Sequence, residues 1–264
     1  MFIIDFIPKS RYIFNMKHKF LLLALLLTPF QALAKPITVA VIDTGFGFRD
    51  KGHNVKLCKY GHKDFSKDGM SSLNYGTVNP IPTDIHGHGT NIVGGIVKYA
   101  GKTDYCIVVL KFFSDKHRNG ENMEASTKAL RHAVNLKVDF INYSGGGPEY
   151  SSEEKKLVVQ FLDSGGTLVS AAGNEYKNLD LPGNSFYPAM HDKRIVVVGN
   201  GENSQERRPS SNYGSAVNRW EVGTVDMYGY SLSGTSQSTA IATGKLINER
   251  SSKSKSRNRN ATRQ

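Results

Sequence analysis

A serine and the two residues that could activate its hydroxyl lie far apart in this chain of 264 residues. Asp43 ends the apolar run 37–42, His88 lies in the segment His-Gly-His-Gly-Thr at 86–90, and Ser236 opens the last helical stretch. A serine hydroxyl is a weak nucleophile at neutral pH until a neighbouring imidazole accepts its proton. That imidazole needs a carboxylate to fix its tautomer and to stabilise the imidazolium. The chain therefore contains the parts of a nucleophilic triad.

Each polar residue also has an ordinary structural interpretation. Asn174 could donate to the oxyanion of a tetrahedral intermediate, but a lone asparagine is often a turn residue. Asp43 alone could likewise be a turn residue. Ser236 alone could be a helix N-cap. His86 and His88 could ligate a metal, but no third ligand follows at suitable spacing, so no metal or other cofactor is predicted.

Alternating apolar runs and amphipathic stretches must position these residues. Short β-branched runs, typical of strands buried on both faces, occur at 37–42, 106–113, 138–143, 167–172 and 195–199. Helical spacing is found at 92–97, 121–136 and 152–162, and again after residue 234. This alternation predicts an α/β fold, a doubly wound and mostly parallel sheet with helices on both faces. In such sheets chemistry collects at the carboxyl ends of the strands, where Asp43 and Asn174 fall.

Composition and charge exclude several classes of protein. The hydrophobic fraction of 39% and the absence of a glycine period exclude disordered and collagen-like chains. The net charge of +11 is concentrated at the ends, because residues 1–34 carry +3 and residues 250–264 carry +6, which leaves +2 for residues 35–249. A nearly neutral core argues against nucleic-acid binding by the folded part. The Ser/Lys/Arg/Asn-rich segment 251–264 is predicted to be a disordered basic tail. This tail is either simply solvated or in contact with an anionic surface.

The first 34 residues have the layout of a secretory signal peptide. Basic residues at 17–19 precede the apolar run 20–27, and Ala-Leu-Ala at 32–34 provides a small-x-small cleavage site. The run is too short to span a bilayer. Residues 1–15 fit a leader poorly, so we expect Met16 to be an alternative start. Because the segment has the layout of a signal peptide, we expect the mature protein, residues 35–250 plus the tail, to be periplasmic or extracellular. In an oxidising compartment Cys58 and Cys106 could form one disulfide or remain two buried thiols, and their spacing alone does not decide between the two.

Five ordered motifs resemble those of the subtilisin-like serine peptidases. They are Val-Ile-Asp-Thr-Gly at 41–45, His-Gly-His-Gly-Thr at 86–90, Asn-Tyr-Ser-Gly-Gly at 142–146, Ala-Ala-Gly-Asn at 171–174 and Gly-Thr-Ser-Gln-Ser at 234–238. The resemblance spans nearly the whole mature chain, and the order Asp, His, Ser is that of subtilisin. It implies that Asp43 orients the base, His88 is the general base, Ser236 is the nucleophile and Asn174 donates to the oxyanion.

The same resemblance implies how a substrate binds. Ser144, Gly145 and Gly146 match the strand that pairs with an extended polypeptide substrate. Phe186 falls in a stretch, 186–188, that resembles the lining of the primary specificity pocket, where a bulky ring would favour small side chains. The strands that hold Cys58 and Cys106 would be neighbours, which favours the disulfide.

The chain departs from the family pattern at several points. The proline usually found four residues after the nucleophile is replaced by Ala240, and only 28 residues follow Ser236. Cleavage after Ala34 would leave eight residues before Asp43, too few for a folding propeptide, so either the domain folds unaided or a separate folding or inhibitor chain is a partner. No calcium loop is recognisable.

The sequence therefore predicts an exported serine endopeptidase that acts through an acyl-enzyme on Ser236. One alternative is a catalytically silent fold of the same type that binds proteins. A second is an α/β-hydrolase esterase, disfavoured because Gly-Thr-Ser-Gln-Ser at 234–238 lacks the second glycine of the nucleophile elbow and because histidine precedes serine.

Overall fold

The computed structural model describes residues 35–47, 55–68, 77–118, 120–202 and 206–261. The predicted signal peptide, residues 1–34, lies outside the described residues. From Pro36 onward the chain forms one compact unit.

A central sheet of seven parallel strands spans the described part of this unit, in the order β2-β3-β1-β4-β5-β6-β7. Its strands are β1 (Ile37–Asp43), β2 (Lys63–Asp64), β3 (Tyr105–Lys111), β4 (Phe140–Tyr143), β5 (Thr167–Ala171), β6 (Val196–Asn200) and β7 (Arg219–Glu221). The strand order reverses on either side of β1, so the sheet is doubly wound as predicted.

In the described residues, four helices cover the two faces of the sheet. They are α1 (His88–Ala100), α2 (Glu121–Asn135), α3 (Ser152–Asp163) and α4 (Thr235–Ala261). One apolar core joins α2 and α3 to one face of the sheet, and a second core joins α1 and α4 to the other. The predicted α/β class, with a mostly parallel sheet and helices on both faces, is confirmed.

The central strand β1 shows why its sequence is apolar throughout. Side chains alternate along a strand, so Ala40 and Ile42 enter the core with α2 and α3, while Val39 and Val41 enter the core with α1 and α4. Asp43 continues the second series. Its side chain therefore emerges on the face that α1 and α4 cover, at the carboxyl end of the strand.

Helices α1 and α4 pack against each other closely because small residues line their contact. A Cβ added at Gly244 would lie 2.7 Å from the carbonyl oxygen of Ile96, and one added at Gly95 would lie 3.0 Å from the Cβ of Ala240. Ala240 is fully buried at this contact. Helix α4 thus forms without the family's proline at that position.

The last helix is longer than the composition predicts. Helix α4 continues to Ala261, so residues 251–261 are helical and the prediction of an unstructured tail from Ser251 was wrong for them. The first part of α4 is fixed by burial, and adding residues to an existing helix costs far less than starting one. The hydroxyls of Ser252 and Ser256 donate to the carbonyls of Asn248 and Lys253 within the helix itself.

A hairpin that the sequence did not predict closes over the start of α1. Strands β8 (Thr224–Met227) and β9 (Tyr230–Ser233) form this antiparallel pair. The side-chain amide of Asn91 in α1 donates to the carbonyls of Val225 and Tyr230, and its oxygen accepts from Gln237 in α4. Asn91 therefore ties the hairpin to both helices.

Candidate active site

Asp43 and His88 form a direct hydrogen bond. The Nδ1 atom of His88 lies 2.7 Å from Oδ1 of Asp43, and the same oxygen accepts the backbone N–H of Thr44 at 2.7 Å. Asp43 is buried, whereas a quarter of the His88 side chain is exposed. Because an ionised carboxylate only accepts, Nδ1 carries the proton and Nε2 of a neutral His88 is a free lone pair. His88 thus has the tautomer that a general base requires.

Glycines on both sides of His88 permit this contact. Gly87 ends the preceding loop with a left-handed backbone (φ 85°), and α1 begins at His88. A Cβ on Gly89 would lie 2.3 Å from the carbonyl oxygen of Gly45 and 3.1 Å from Oδ1 of Asp43. Only glycine at position 89 allows the start of α1 to approach the end of β1 so closely.

Asp84 holds the histidine loop, and the sequence analysis missed it. Its Oδ1 accepts from the Thr44 hydroxyl and from the backbone N–H groups of His86 and Gly87, and its Oδ2 accepts from the N–H and hydroxyl of Thr90. Five donors on one buried carboxylate fix the backbone on both sides of His88. The available signal was an aspartate two residues before the histidine-rich segment, the spacing of an Asx turn.

Electrostatics around His88 favour its protonated form. Burial lowers the pKa of His88, but the charge of Asp43, its hydrogen bond and the charge of Asp84 together outweigh burial. The net result is a pKa raised above the ordinary histidine value of 6.5.

Ser236 is hydrogen-bonded to Ser144 and makes no hydrogen bond to Asp43 or His88. Its hydroxyl donates to the carbonyl oxygen of Ser144 at 2.8 Å, and the Ser144 hydroxyl donates back to the Ser236 carbonyl at 3.0 Å. Ser144 also lines the cavity that contains Asp43 and His88. Within the described part of the chain, Nε2 of His88 has no hydrogen-bond partner. The structure therefore brings Asp43 and His88 into contact and holds Ser236 on a neighbouring peptide.

The cavity at His88 is small and has an aromatic wall. Its volume is about 180 Å³. Its lining consists of Asp43, Thr44, His86, His88, Phe112, Phe113, Ser144 and Gly145.

Asn174 is placed where it could stabilise an anion next to Ser236. Its side-chain oxygen accepts the N–H and hydroxyl of Thr235, the first residue of α4, at 2.9 and 3.1 Å. This leaves the amide NH₂ of Asn174 and the backbone N–H of Ser236 without a partner among the described residues. Both are donors at a helix N-terminus, where the dipole also favours negative charge.

The segment Ser144–Gly146 has free backbone groups on a surface that a peptide could use. It continues β4 without pairing, and the backbone groups of Gly145 and Gly146 have no hydrogen-bond partner among the described residues, whereas Gly147 pairs with Tyr187 in an antiparallel bridge. A Cβ on Gly146 would lie 2.5 Å from the Tyr187 carbonyl oxygen.

Phe186 fills the space between this segment and the loop that carries Asn174. A Cβ on Gly146 would lie 2.4 Å from the Phe186 ring, and one on Gly173 would lie 2.8 Å from it. The ring is buried, with 9% of the residue exposed.

The two cysteines are joined in the structure. The sulfur atoms of Cys58 and Cys106 are 2.06 Å apart, with the Cα atoms separated by 4.9 Å. The backbone N–H of Cys58 donates to the Ile107 carbonyl and that of Ile107 donates to the Lys56 carbonyl, so the segment around Cys58 pairs with β3. In the described residues, no group of three His, Cys, Asp or Glu could hold a metal ion.

Fold and site together define a class of protein. A doubly wound parallel sheet carries an aspartate at the end of its central strand, a histidine at the start of one helix and a serine near the start of another. A family model described as the subtilase family matches residues 34–260. The chain belongs to the subtilase family, and the resemblance inferred from its motifs is confirmed.

Known relatives agree with this family. The major intracellular serine protease of Bacillus subtilis (strain 168) is 30% identical over 186 residues, which cover 67% of this chain and 55% of that protein. An intracellular serine protease of Paenibacillus polymyxa is 28% identical over 231 residues, 82% of this chain and 67% of that protein. The match thus spans little more than half of the Bacillus relative. The crystal structure of a cold adapted subtilisin-like serine proteinase superposes with a TM-score of 0.59 at 24% identity, covering 80% of this chain and 74% of that one, which shows the shared fold.

Proposed function

We propose that the protein is a serine endopeptidase that hydrolyses peptide bonds through an acyl-enzyme on Ser236. The observation that carries the proposal is the Asp43–His88 hydrogen bond, which leaves Nε2 of His88 free as a base beside the peptide that holds Ser236. Family membership supports a polypeptide substrate.

The proposed reaction begins when an extended substrate pairs with Ser144–Gly146. A substrate N–H that donates to the Ser144 carbonyl competes with the Ser236 hydroxyl for that acceptor, so the hydroxyl can rotate about χ1 towards Nε2 of His88. In structures without substrate, catalytic hydrogen bonds are often long or poorly aligned, and they tighten only in the complex with substrate. Ser236 Oγ then attacks the scissile carbonyl while Nε2 accepts its proton, and Asp43 stabilises the resulting imidazolium.

The remaining steps use the donors at the start of α4. The N–H of Ser236 and the NH₂ of Asn174 donate to the oxyanion of the tetrahedral intermediate. His88 gives its proton to the departing amine, which breaks the peptide bond and leaves the acyl group as an ester on Ser236. A water molecule, deprotonated by His88, then hydrolyses this ester and restores the hydroxyl.

The decisive experiment is covalent labelling together with protein cleavage. A fluorophosphonate probe is expected to label the folded protein, and an unstructured protein substrate is expected to be cut at mapped sites. Ser236→Ala should abolish both, whereas Ser233→Ala, an exposed serine three residues earlier in β9, should leave both intact. Folded wild-type protein that neither reacts with the probe nor cuts the substrate would instead favour a silent binding module.

The pH dependence of activity should report His88. Because its pKa is raised above 6.5, the neutral base is lost as pH falls through a value above 6.5, and kcat/KM should drop about tenfold per pH unit below it. Measuring kcat/KM between pH 5 and 9 checks this. Asp84→Asn removes one of the charges that raise the pKa, so the midpoint of its residual activity should move to lower pH. A flat profile from pH 5 to 8 would argue against His88 as the base.

Phe186 should restrict the residue before the cleaved bond to small side chains. Phe186→Ala opens the space between Gly146 and Gly173, so kcat/KM for a substrate with phenylalanine or leucine there should rise relative to one with alanine. One methylene in an apolar pocket changes specificity about 10- to 200-fold, and a ring should change it at least as much.

The comparison is internally controlled, since any loss of stability on removing the ring lowers both rates alike. Peptides that differ only at this position, assayed with both proteins, provide the ratio. An unchanged ratio in Phe186→Ala would show that the ring does not limit this pocket.

We also propose that the protein is exported. The pattern of residues 17–34 and the Cys58–Cys106 disulfide support export, whereas the printed names of two relatives describe intracellular enzymes. No helix in the part of the chain that is described is long and apolar enough to cross a membrane. N-terminal sequencing should find Lys35 as the first residue of the exported protein, and retention of residues 16–34 would contradict cleavage.

A further inference from the structure

A second and larger cavity adjoins the one at His88. Its volume is about 420 Å³, and it shares Phe112, Phe113 and Gly145 with the smaller cavity. Gly145, Gly146 and Gly147 form part of its wall. A polypeptide paired with Ser144–Gly146 would therefore pass its mouth, and one side chain of that polypeptide could enter it.

Glu154 contributes a buried carboxylate to the lining of this cavity. It lies in the first turn of α3, three residues after the cap residue Ser151, whose hydroxyl accepts the Glu154 N–H. That spacing is typical of a capping box, in which the glutamate would bond back to the cap. Here its Oε2 instead lies 2.7 Å from Nε2 of His191, and only 3% of Glu154 is exposed.

His191 is a hydrogen-bond partner of the Glu154 carboxylate. The Nδ1 atom of His191 is buried and has no partner. The positive end of α3 favours a negative charge on this carboxylate, which lies in the first turn of the helix.

The rest of the lining suits a cation. Aromatic rings of Phe112, Phe113, Tyr143 and Tyr187 surround the cavity, and a second acid, the exposed Glu149, lies on its lining. Among the residues that the structure describes, the lining contains no lysine or arginine. Burial and the neighbouring Glu154 charge raise the pKa of Tyr143, so its hydroxyl remains a neutral donor. Aromatic faces and a carboxylate together are the environment in which ammonium and guanidinium groups bind.

We propose that this cavity binds a lysine or arginine side chain of the polypeptide substrate and that Glu154 determines this specificity. The inference rests on the proposed function, because it assumes that the polypeptide binds along Ser144–Gly146. An apolar side chain would close the cavity over the Glu154 carboxylate without adding a counter-charge, and an acidic one would be repelled by it. A basic side chain supplies a counter-charge and a charge-assisted hydrogen bond.

Binding to the inactive full-length variant Ser236→Ala tests this specificity without cleavage. Extended peptides in which a single lysine is moved along the chain are compared by calorimetry with peptides that carry norleucine at the same position, and arginine is compared with citrulline. At one position the charged side chain should bind roughly 10- to 100-fold more tightly, the range expected for a charge-assisted bond to a buried carboxylate. Adding Glu154→Gln should remove the difference, because glutamine keeps the shape and the acceptor for His191 but not the charge.

Glu149→Gln is the matched control, since it removes an exposed acid from the same lining and should change the ratio less than about twofold. Equal affinity for lysine and norleucine at every position, or a preference that survives Glu154→Gln, would overturn the proposal. If Glu154→Gln does not fold, the lysine–norleucine and arginine–citrulline comparisons in the parent protein still decide whether the cavity selects a cation. Failure of the fluorophosphonate experiment would remove the proposed activity and leave this binding result separately readable.

Discussion

Replacing Asp43 by asparagine is expected to lower kcat about ten-thousand-fold while the protein stays folded, the loss that this change causes in other serine protease triads. The amide has nearly the shape of the carboxylate, so it can still accept the Thr44 N–H in the turn after β1. It carries no charge, however, and cannot stabilise the imidazolium that forms when His88 takes the serine proton. It can also donate to Nδ1, which would put the imidazole proton on Nε2 and block the base.

The matched control is Asp139→Asn, a carboxylate that directly precedes the neighbouring strand β4 and pairs with the opposite end of β1. Oδ2 of Asp139 accepts the Thr38 N–H at 2.9 Å, much as Asp43 accepts that of Thr44, and its other oxygen bonds Arg250. This change should leave kcat within a few-fold of wild type. Steady-state kinetics on a peptide substrate, with unfolding curves for both variants, separate a catalytic loss from a loss of stability. An Asp43→Asn enzyme with nearly full kcat would rule out the Asp43–His88 pair as the catalytic base.

Much of the fold could be predicted from the sequence because its strands are buried on both faces. The apolar runs of β1, β3, β5 and β6 were found to within one or two residues at most ends, because apolar residues dominate each run. The strands β2 and β7 have only two and three residues. The strands of the β8–β9 hairpin have four residues each, with few strongly apolar side chains. Such elements are held by their neighbours and not by their own periodicity, so a pattern search could not find them.

Parts of the site were equally accessible to sequence reasoning, and others were not. The proposed roles of Asp43 and His88 follow from residue type and position, and glycine at 89 is the residue that the close backbone approach in the structure requires. Asp84 and Glu154 look like ordinary turn and helix-start acids in the sequence. What distinguishes them is the set of groups that the fold brings to their oxygens, and that set comes from distant segments. The resting position of the Ser236 hydroxyl on Ser144 depends on a rotamer, which a sequence does not specify.

Removing the disulfide is expected to lower the free energy of unfolding by about 4 kcal/mol, from the entropy of a closed loop of this size. The bond joins residues 48 apart, Cys58 beside the edge of the sheet and Cys106 in β3. Around it, His62 donates from Nε2 to the Cys58 carbonyl and accepts the Val109 N–H at Nδ1, so the crosslinked edge is also held by a buried neutral imidazole. Burial lowers the pKa of His62, which keeps it neutral at physiological pH.

Activity should respond far less than stability to this change. Cys106 pairs in register with Thr38, and Asp43 pairs with Lys111, so the disulfide lies five residues along the strands from the candidate site. At about 3.3 Å per residue this is roughly 16 Å. Cys58→Ser with Cys106→Ser should therefore keep most of the wild-type kcat at low temperature while its unfolding midpoint in urea falls steeply.

Unfolding is best measured in the Ser236→Ala background, where the protein cannot digest its own unfolded form. A thiol reductant should destabilise the parent to the level of the double serine variant and leave that variant unchanged. If reductant has no effect and the double variant is as stable as the parent, the two thiols are not linked in the folded protein. The proposed export would then lose the support that an oxidised cysteine pair provides.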